Sequence, residues 1–269
     1  MAHKTPLATW LYLNRSVLAP TFTEFKGSGE LVPGLFDFST KITWQGIEIE
    51  GCGVDDNREI AFEKSVAECI ERIICVSKSV DSIGLAVSGG SHCPESHAKF
   101  EALERFYLNE HLENEIPLRE VKSKILSPNS FLDMNKDCEV RFFQMATPNS
   151  LFGLVCQISD AERISFGFAL SESMETSQRR SFLESIPSFC WLKNKNGPNE
   201  SVSSVPWQIS REFISKISPL LGTISVDELH KSFLPDLVSV ELNYFDIPIL
   251  KSAPLKISKY KVSKISGDQ

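Results

Sequence analysis

The chain has 269 residues, 42% of them hydrophobic and 23% charged, an ordinary balance for a globular protein of one large domain or two smaller ones. The formal net charge of -7 argues against broad binding to nucleic acid, which requires basic side chains that neutralise phosphates. No stretch is apolar for long enough to span a membrane, and the N-terminus lacks the apolar core of a signal peptide. The seven cysteines are odd in number and form no Cys-x-x-Cys pair, which favours a reducing compartment. We therefore expect a cytoplasmic protein that binds neither nucleic acid nor membranes.

The first part of the chain predicts a hairpin and two helices. Residues 1–35 contain turn signals and give no firm assignment. Residues 36–54 alternate apolar and polar side chains around Gln-Gly, which predicts a β-hairpin. A helix follows, with Asn57 or either aspartate before it as its N-cap. A short strand and a glycine turn then lead to a second helix, in which Pro94 suits the first helical position.

The later elements alternate between strands and helices. We expect a loop with some helix at 123–133, a strand at 138–146 and a hairpin at 151–171 that turns near Asp160. A third helix should end before Pro187, because proline removes a helical hydrogen bond. The remaining expected segments are a surface loop (193–206), two helices (207–221 and 225–234), a strand (237–250) and a polar, frayed tail (256–269). His111 and His230 fall on predicted helices, as surface or boundary residues.

This order of elements predicts an α/β (α+β) fold, a mixed sheet with helices packed on it. We expect an N-terminal segment (1–35), a main domain (36–255) and a polar tail (256–269).

Two of the helices carry the same motif, Glu-x-x-Glu-Arg. It consists of Glu68, Glu71 and Arg72 in the first helix and of Glu101, Glu104 and Arg105 in the second. The third helix has a near-copy with Glu175, Gln178, Arg179 and Arg180. Residues three and four apart lie on one helical face, so each helix presents acids and a guanidinium together. The unequal intervals between the motifs argue against a repeat protein of regular period.

Such a stripe has an ordinary structural explanation and a functional one. A charged stripe on an amphipathic helix is usually a solvated face. Carboxylates from two facing helices would instead suit Mg²⁺, which is usually shared between a few carboxylates and substrate phosphates. The neighbouring arginines would then offset the repulsion between the acids or bind phosphate. Two copies and a near-copy leave both explanations open.

In combination, these motifs resemble the YcaO family of ATP-dependent enzymes that activate peptide backbone amides. The resemblance covers roughly residues 36–255. It rests on the Gly-x-Gly turn before the first motif helix, on "GLAVSGG" before the second, on "ETSQRR", and on the late "SVELNYFDIPILKSAPL".

The resemblance implies a function and a site. ATP and Mg²⁺ would be the cofactors, with Glu68, Glu71, Glu101 and Glu104 as metal ligands. The nucleotide site would add Arg72, Arg105, Glu175, Gln178 and Arg180. The substrate would be a ribosomally made precursor peptide, converted to an azoline, thioamide or amidine. A partner protein would bind the leader peptide, and a homodimer is compatible with this scheme.

Three residues depart from the family pattern and favour an alternative. Cys52, Lys64 and Ile83 stand where the family commonly has Lys, Ser and Asn, and an isoleucine can neither ligate a metal nor hydrogen-bond a nucleotide. The alternative is a YcaO-like subunit without catalysis that acts as a scaffold or peptide-binding partner. A third hypothesis is an unrelated α/β protein whose charged stripes lie on its surface.

Overall fold

The computed structural model describes residues 5–89, 93–123, 135–148, 150–194, 210–222, 235–244 and 246–263. The chain forms two compact units. The first unit comprises residues 1–29, 34–102 and 236–269, and the second comprises residues 30–33 and 103–235.

The elements follow one another as α1 (Pro6–Leu13), α2 (Arg15–Leu18), β1 (Thr21–Phe25), α3 (Gly27–Leu31), β2 (Phe36–Trp44), β3 (Ile47–Asp55), α4 (Arg58–Lys78), β4 (Leu85–Ser88), α5 (Pro94–Glu113), β5 (Leu118–Val121), β6 (Glu139–Gln144), β7 (Phe152–Ser159), β8 (Ile164–Ser171), α6 (Met174–Asn194), α7 (Arg211–Ile217), β9 (Leu221–Gly222), β10 (Leu237–Ser239) and β11 (Lys256–Val262). Short 3₁₀ helices span Ser218–Leu220 and Pro248–Leu250. Among the described helices, none combines the length and the apolar character that a membrane crossing requires.

The strands form three sheets in the described part of the chain. The first unit holds the sheets β1-β2-β3 and β10-β11-β4, and the second holds β8-β7-β6-β5-β9. The pairings are antiparallel except for β5 with β9, which run parallel. With helices against these sheets, the predicted mixed α/β class is confirmed.

The hairpin β2–β3 and the start of α4 follow the predicted local chemistry. Gln45 and Gly46, the two turn residues, have positive φ angles of 51° and 79°, as a tight hairpin turn requires. Asn57 is the N-cap of α4, and its side chain accepts hydrogen bonds from the N–H groups of Glu59 and Ile60. Pro94 is the first residue of α5, as predicted.

The two units contain the same hairpin-and-helix arrangement at a constant interval. Hairpin β2–β3 is followed by α4, and hairpin β7–β8 by α6. Gly51 approaches α4 so closely that a Cβ would lie 2.2 Å from the Ser65 carbonyl oxygen, and Gly167 approaches α6 with 2.1 Å to that of Ser181. The two glycines are 116 positions apart, and so are the first residues of the two helices. The hairpin and helix of the second unit therefore correspond to those of the first, residue for residue, and we call each copy a frame.

Pro187 does not end the third helix, contrary to the prediction. Helix α6 continues through it to Asn194. The side chains of Phe189 and Cys190, which follow the proline, are buried. A proline inside a helix costs about 3 kcal/mol, and burying an aromatic side chain contributes roughly 1.5–3 kcal/mol, so packing offsets the lost hydrogen bond.

Two expectations for the C-terminal region are wrong. Among the described residues of the expected strand 237–250, only Leu237–Ser239 forms a strand, and the segment Pro248–Leu250 is a 3₁₀ helix that buries Ile249. The expected frayed tail contains β11, which pairs with both β4 and β10. The buried ammonium of Lys259 donates to the carbonyl and carboxylate oxygens of Asp81, at 2.9 Å and 2.7 Å, which makes burial of this lysine tolerable.

Several other predictions have definite outcomes. Strand β6 and hairpin β7–β8 lie where expected. Of the helix predicted at 207–221, the described part begins at residue 210, and there the α-helix is confirmed over Arg211–Ile217. His111 is buried instead of lying at the surface. The helix predicted at 225–234, which includes His230, and nearly all of 123–133 and 193–206 lie outside the described residues.

Candidate functional site

Both carboxylate oxygens of Glu68, on α4, accept hydrogen bonds from protein groups. One accepts a hydrogen bond from the N–H of Cys52 on β3 at 2.6 Å, and the other accepts one from Arg72 at 2.6 Å. The N–H of Cys52 points away from β2, so Glu68 caps the outer edge of β3. Arg72 lies one helical turn after Glu68, which is the spacing at which side chains on a helix meet.

Glu71, on the same helix, lies in an environment that disfavours its charged form. Its carboxylate accepts a hydrogen bond from the N–H of Val87 on β4 at 3.0 Å. Burial, followed by the nearby negative charge of Glu101 on α5, raises the pKa of Glu71 well above its usual value. The structure thus brings together Glu68, Glu71, Arg72 and Glu101 in the first unit, and we call these four residues the Glu71 group.

A second cluster lies in the second unit and consists of Glu104, Arg105, Arg180 and Glu184, which we call the Glu104 group. The Arg105 guanidinium is 3.5 Å from Glu104 and 3.5 Å from Glu184. It also lies over the ring of Phe168, 5.7 Å from its centre. Arg180 donates to the carbonyl oxygen of Leu170 at 3.4 Å.

Burial dominates the electrostatics of the Glu104 group. Glu104 is only 4% exposed, and burial raises its pKa to about 7. The negative charge of Glu184 adds to this rise, while Arg105 and Arg180 oppose it. A carboxyl group with a pKa near neutrality can take up or release a proton under ordinary conditions.

The structure separates the other residues of the predicted third element. Glu175 is exposed in the first turn of α6. Gln178 is buried, and its amide donates to the Lys122 carbonyl oxygen at 2.8 Å. Their assignment to a nucleotide site stays a prediction.

Glu184 is the residue that sequence reasoning missed. It accepts a hydrogen bond from the N–H of Phe168 on β8 at 2.9 Å, just as Glu68 accepts one from Cys52. Glu184 follows Glu68 by the 116 positions that separate the two repeated frames. The counterpart of Glu71 in this frame is Pro187, which offers no ligand. The signal that could have revealed Glu184 was the glycine 17 positions before each of these acids, at 51 and 167.

The residues that depart from the family pattern also have defined positions. Lys64 is exposed, and its ammonium donates to the Asp55 carboxylate at 2.7 Å and to the Val54 carbonyl oxygen at 3.2 Å. Ile83 is exposed before β4. Cys52 contributes its backbone N–H to Glu68.

A Mg²⁺ ion in the first unit would be bound by few protein ligands. Among the described residues, no three His, Cys, Asp or Glu side chains converge in a way that would hold a metal ion. Mg²⁺ is commonly bound through one or two carboxylates, with water and phosphate oxygens completing its shell. The mutual repulsion of Glu71 and Glu101 is the kind that a divalent cation relieves, so the first unit fits Mg²⁺ in that mode.

Comparisons with known proteins identify the fold. No protein-family profile matches the chain, and no curated protein does. Among solved structures, YcaO from Methanopyrus kandleri, bound with AMPPCP and Mg²⁺, matches with a TM-score of 0.62 and 13% identity over 96% of this chain and 90% of the other. A heterocyclase in complex with substrate and cofactor matches with a TM-score of 0.66 and 9% identity.

The chain therefore has a YcaO-like fold, as the sequence motifs predicted. The heterocyclase match covers 96% of this chain but only 52% of the heterocyclase, so this chain spans about half of that protein's length.

Proposed function

We propose that the protein uses Mg²⁺-ATP to activate a backbone amide of a ribosomally made precursor peptide. The proposal is carried by the position of Glu71, which is half-buried on α4, accepts a hydrogen bond from the Val87 N–H at 3.0 Å and lies near the acidic Glu101 of α5. Isolated buried charges of one sign are costly, and a divalent cation is the natural partner for such a pair. The AMPPCP and Mg²⁺ bound to the Methanopyrus kandleri YcaO support the same cofactors here.

The remaining site residues have distinct proposed roles. Glu71 and Glu101 would hold Mg²⁺, whereas Glu68 has both oxygens engaged with protein groups and would orient Arg72. Arg105 would contact phosphate, since a guanidinium matches phosphate geometry. We also propose that Glu104, which lies next to Arg105, is a metal ligand, as its motif suggests. Bound ATP would supply the phosphoryl group that makes an amide oxygen a leaving group, and the protein would contribute mainly positioning and charge stabilisation.

Partners and product are part of the same proposal. The heterocyclase with a similar fold was solved in complex with a substrate. We propose a precursor peptide as substrate, and a separate protein that recognises its leader. Azoline, thioamide and amidine products differ in the nucleophile that attacks the amide carbon, and all three remain candidates.

A second candidate is a subunit that keeps the fold but has lost catalysis. Pro187 favours it, because the second unit carries no acid or amide at the position that corresponds to Glu71. Ile83 and the ion-paired Lys64 favour it as well. Such a subunit would bind a peptide or a partner enzyme without binding ATP.

A thermal shift separates the two candidates. A ligand at 100 times its Kd stabilises the folded state by about 2.7 kcal/mol, which corresponds to roughly 5–10 °C in a protein of this size. The first candidate predicts such a rise with ATP and Mg²⁺ together and a smaller one with ATP and EDTA. An unchanged Tm at saturating Mg²⁺-ATP would reject it in favour of the subunit without catalysis.

A further inference from the structure

The corresponding acids of the two frames find their guanidinium partners in different ways. Glu68 accepts a strand N–H with one oxygen and pairs with Arg72, four positions later on its own helix, with the other. The residue four positions after Glu184 is Ser188, which carries no charge. Glu184 nevertheless faces a guanidinium, that of Arg105 on α5, at 3.5 Å. A residue of another helix thus takes the place that Arg72 has in the first frame.

Close backbone packing fixes one end of the Glu184 carboxylate. Gly167 on β8 lies so near α6 that a Cβ there would be 2.6 Å from the backbone nitrogen of Ser185. The next residue along β8 is Phe168, and its N–H donates to one oxygen of Glu184 at 2.9 Å. This oxygen of Glu184 is therefore held by a backbone group of a strand that the helix contacts directly.

The other oxygen of Glu184 faces Arg105, whose side chain is only 19% exposed. The same guanidinium nitrogen of Arg105 lies 3.5 Å from Glu104. The guanidinium also lies over the ring of Phe168, 5.7 Å from its centre. Glu184 thus contacts both the guanidinium and the residue whose ring packs against it. Together these neighbours limit the orientations that the Arg105 side chain can adopt.

We infer that Glu184 is a positioning residue that holds the Arg105 guanidinium in the orientation that contacts phosphate. The inference rests on the proposed function, in which Arg105 contacts a phosphate group of ATP. In this role Glu184 acts through Arg105 and contacts neither the nucleotide nor the metal. A guanidinium binds phosphate best through two parallel N–H bonds, so its orientation determines the strength of the contact. An arginine that is ordered before the nucleotide binds also loses less conformational entropy on binding.

Positioning and simple charge predict opposite effects of Glu184→Gln. ATP is an anion, so removing a nearby negative charge would by itself strengthen nucleotide binding. Losing the orientation of one arginine side chain should instead weaken it, by roughly three- to tenfold. Glutamine keeps a carbonyl oxygen that can accept the N–H of Phe168. The variant therefore removes the ion pair with Arg105 and retains the link to β8.

Calorimetric titration of a non-hydrolysable ATP analogue in the presence of Mg²⁺ measures the sign of this effect. Glu184→Gln, shown to be folded by circular dichroism, should bind roughly three- to tenfold more weakly than wild type. Glu162→Gln removes an equal charge from an exposed position between β7 and β8 and should bind as wild type does. In an Arg105→Gln background there is no guanidinium to orient, so adding Glu184→Gln should cause no further weakening.

The possible results separate this inference from the proposed function. Equal or tighter binding by Glu184→Gln, in a protein whose wild type binds the analogue, would overturn the inference and leave the proposed function standing. Weakening of the same size in the Arg105→Gln background would also overturn it, because Glu184 would then act independently of Arg105. A wild-type protein that does not bind the analogue would overturn the proposed function and the role of Glu184 with it.

Discussion

Replacing Glu104 by glutamine should stabilise the protein at alkaline pH and not at acidic pH. Burial raises the pKa of Glu104 from an ordinary value of 4.5 to about 7 in the folded protein. Between these pH values the folded state holds a proton that the unfolded state has lost, so stability falls as pH rises through this window. At 1.36 kcal/mol per pH unit, the full effect is about 3 kcal/mol, and most of it lies between pH 5 and pH 8.

Denaturant unfolding at pH 5 and pH 8 measures this difference. Glu104→Gln removes the titration while keeping the shape of the side chain, so its advantage over wild type should grow by about 2–3 kcal/mol from pH 5 to pH 8. Glu113→Gln, at an exposed position on the same helix, is the control and should show no such change. An advantage of Glu104→Gln that is equal at both pH values would refute the assignment of a raised pKa to Glu104.

Two further predictions concern the second unit. His111 accepts a hydrogen bond from the Ala146 N–H at 2.8 Å, and burial lowers the pKa of His111. Its stabilising contribution should therefore be complete above about pH 6.5, the pKa of a free histidine, and should be lost as pH falls through the lowered pKa. His111→Ala should cost about 2–4 kcal/mol at pH 8 in urea unfolding, and a cost below 1 kcal/mol would show that the bond contributes little. Gly167→Ala should destabilise by about 3 kcal/mol or more, because its Cβ would overlap helix backbone. Gly153→Ala would meet only side-chain atoms at 2.9 Å and should cost less, so equal Tm losses for the two variants would contradict the close-packing argument.

The local elements were predictable where one residue type determines the backbone. Gln-Gly at 45–46 and the N-cap Asn57 are examples, since both act through neighbouring backbone groups. Helix α6 was predicted too short, because propensity alone cannot include the burial of Phe189 beyond the proline. The lysine-rich β11 was missed for a similar reason: the partner that makes a buried Lys259 tolerable, Asp81, is distant in sequence.

The candidate site, too, was predictable where it depends on local sequence and unpredictable where it depends on tertiary packing. The Glu-x-x-Glu-Arg motifs correctly indicated acids beside arginines, because spacing on a helix determines which side chains are neighbours. The sequence could not show that Glu68 and Glu184 accept strand N–H groups, since those contacts depend on tertiary packing. It also gave no sign that the two motif acids on α5 belong to different compact units.

Calorimetric titration of a non-hydrolysable ATP analogue with Mg²⁺ tests whether Glu71 and Glu101 hold a nucleotide-bound Mg²⁺. We expect the wild-type protein to bind the analogue only when Mg²⁺ is present. Glu101→Gln should bind it with an affinity at least about tenfold lower, because Mg²⁺ bound by so few protein ligands depends on each carboxylate. Glu95→Gln, at an exposed position on the same helix, should bind as wild type does. Binding of equal affinity in wild type and Glu101→Gln, or binding that persists unchanged in EDTA, would contradict the assignment of Mg²⁺ to Glu71 and Glu101.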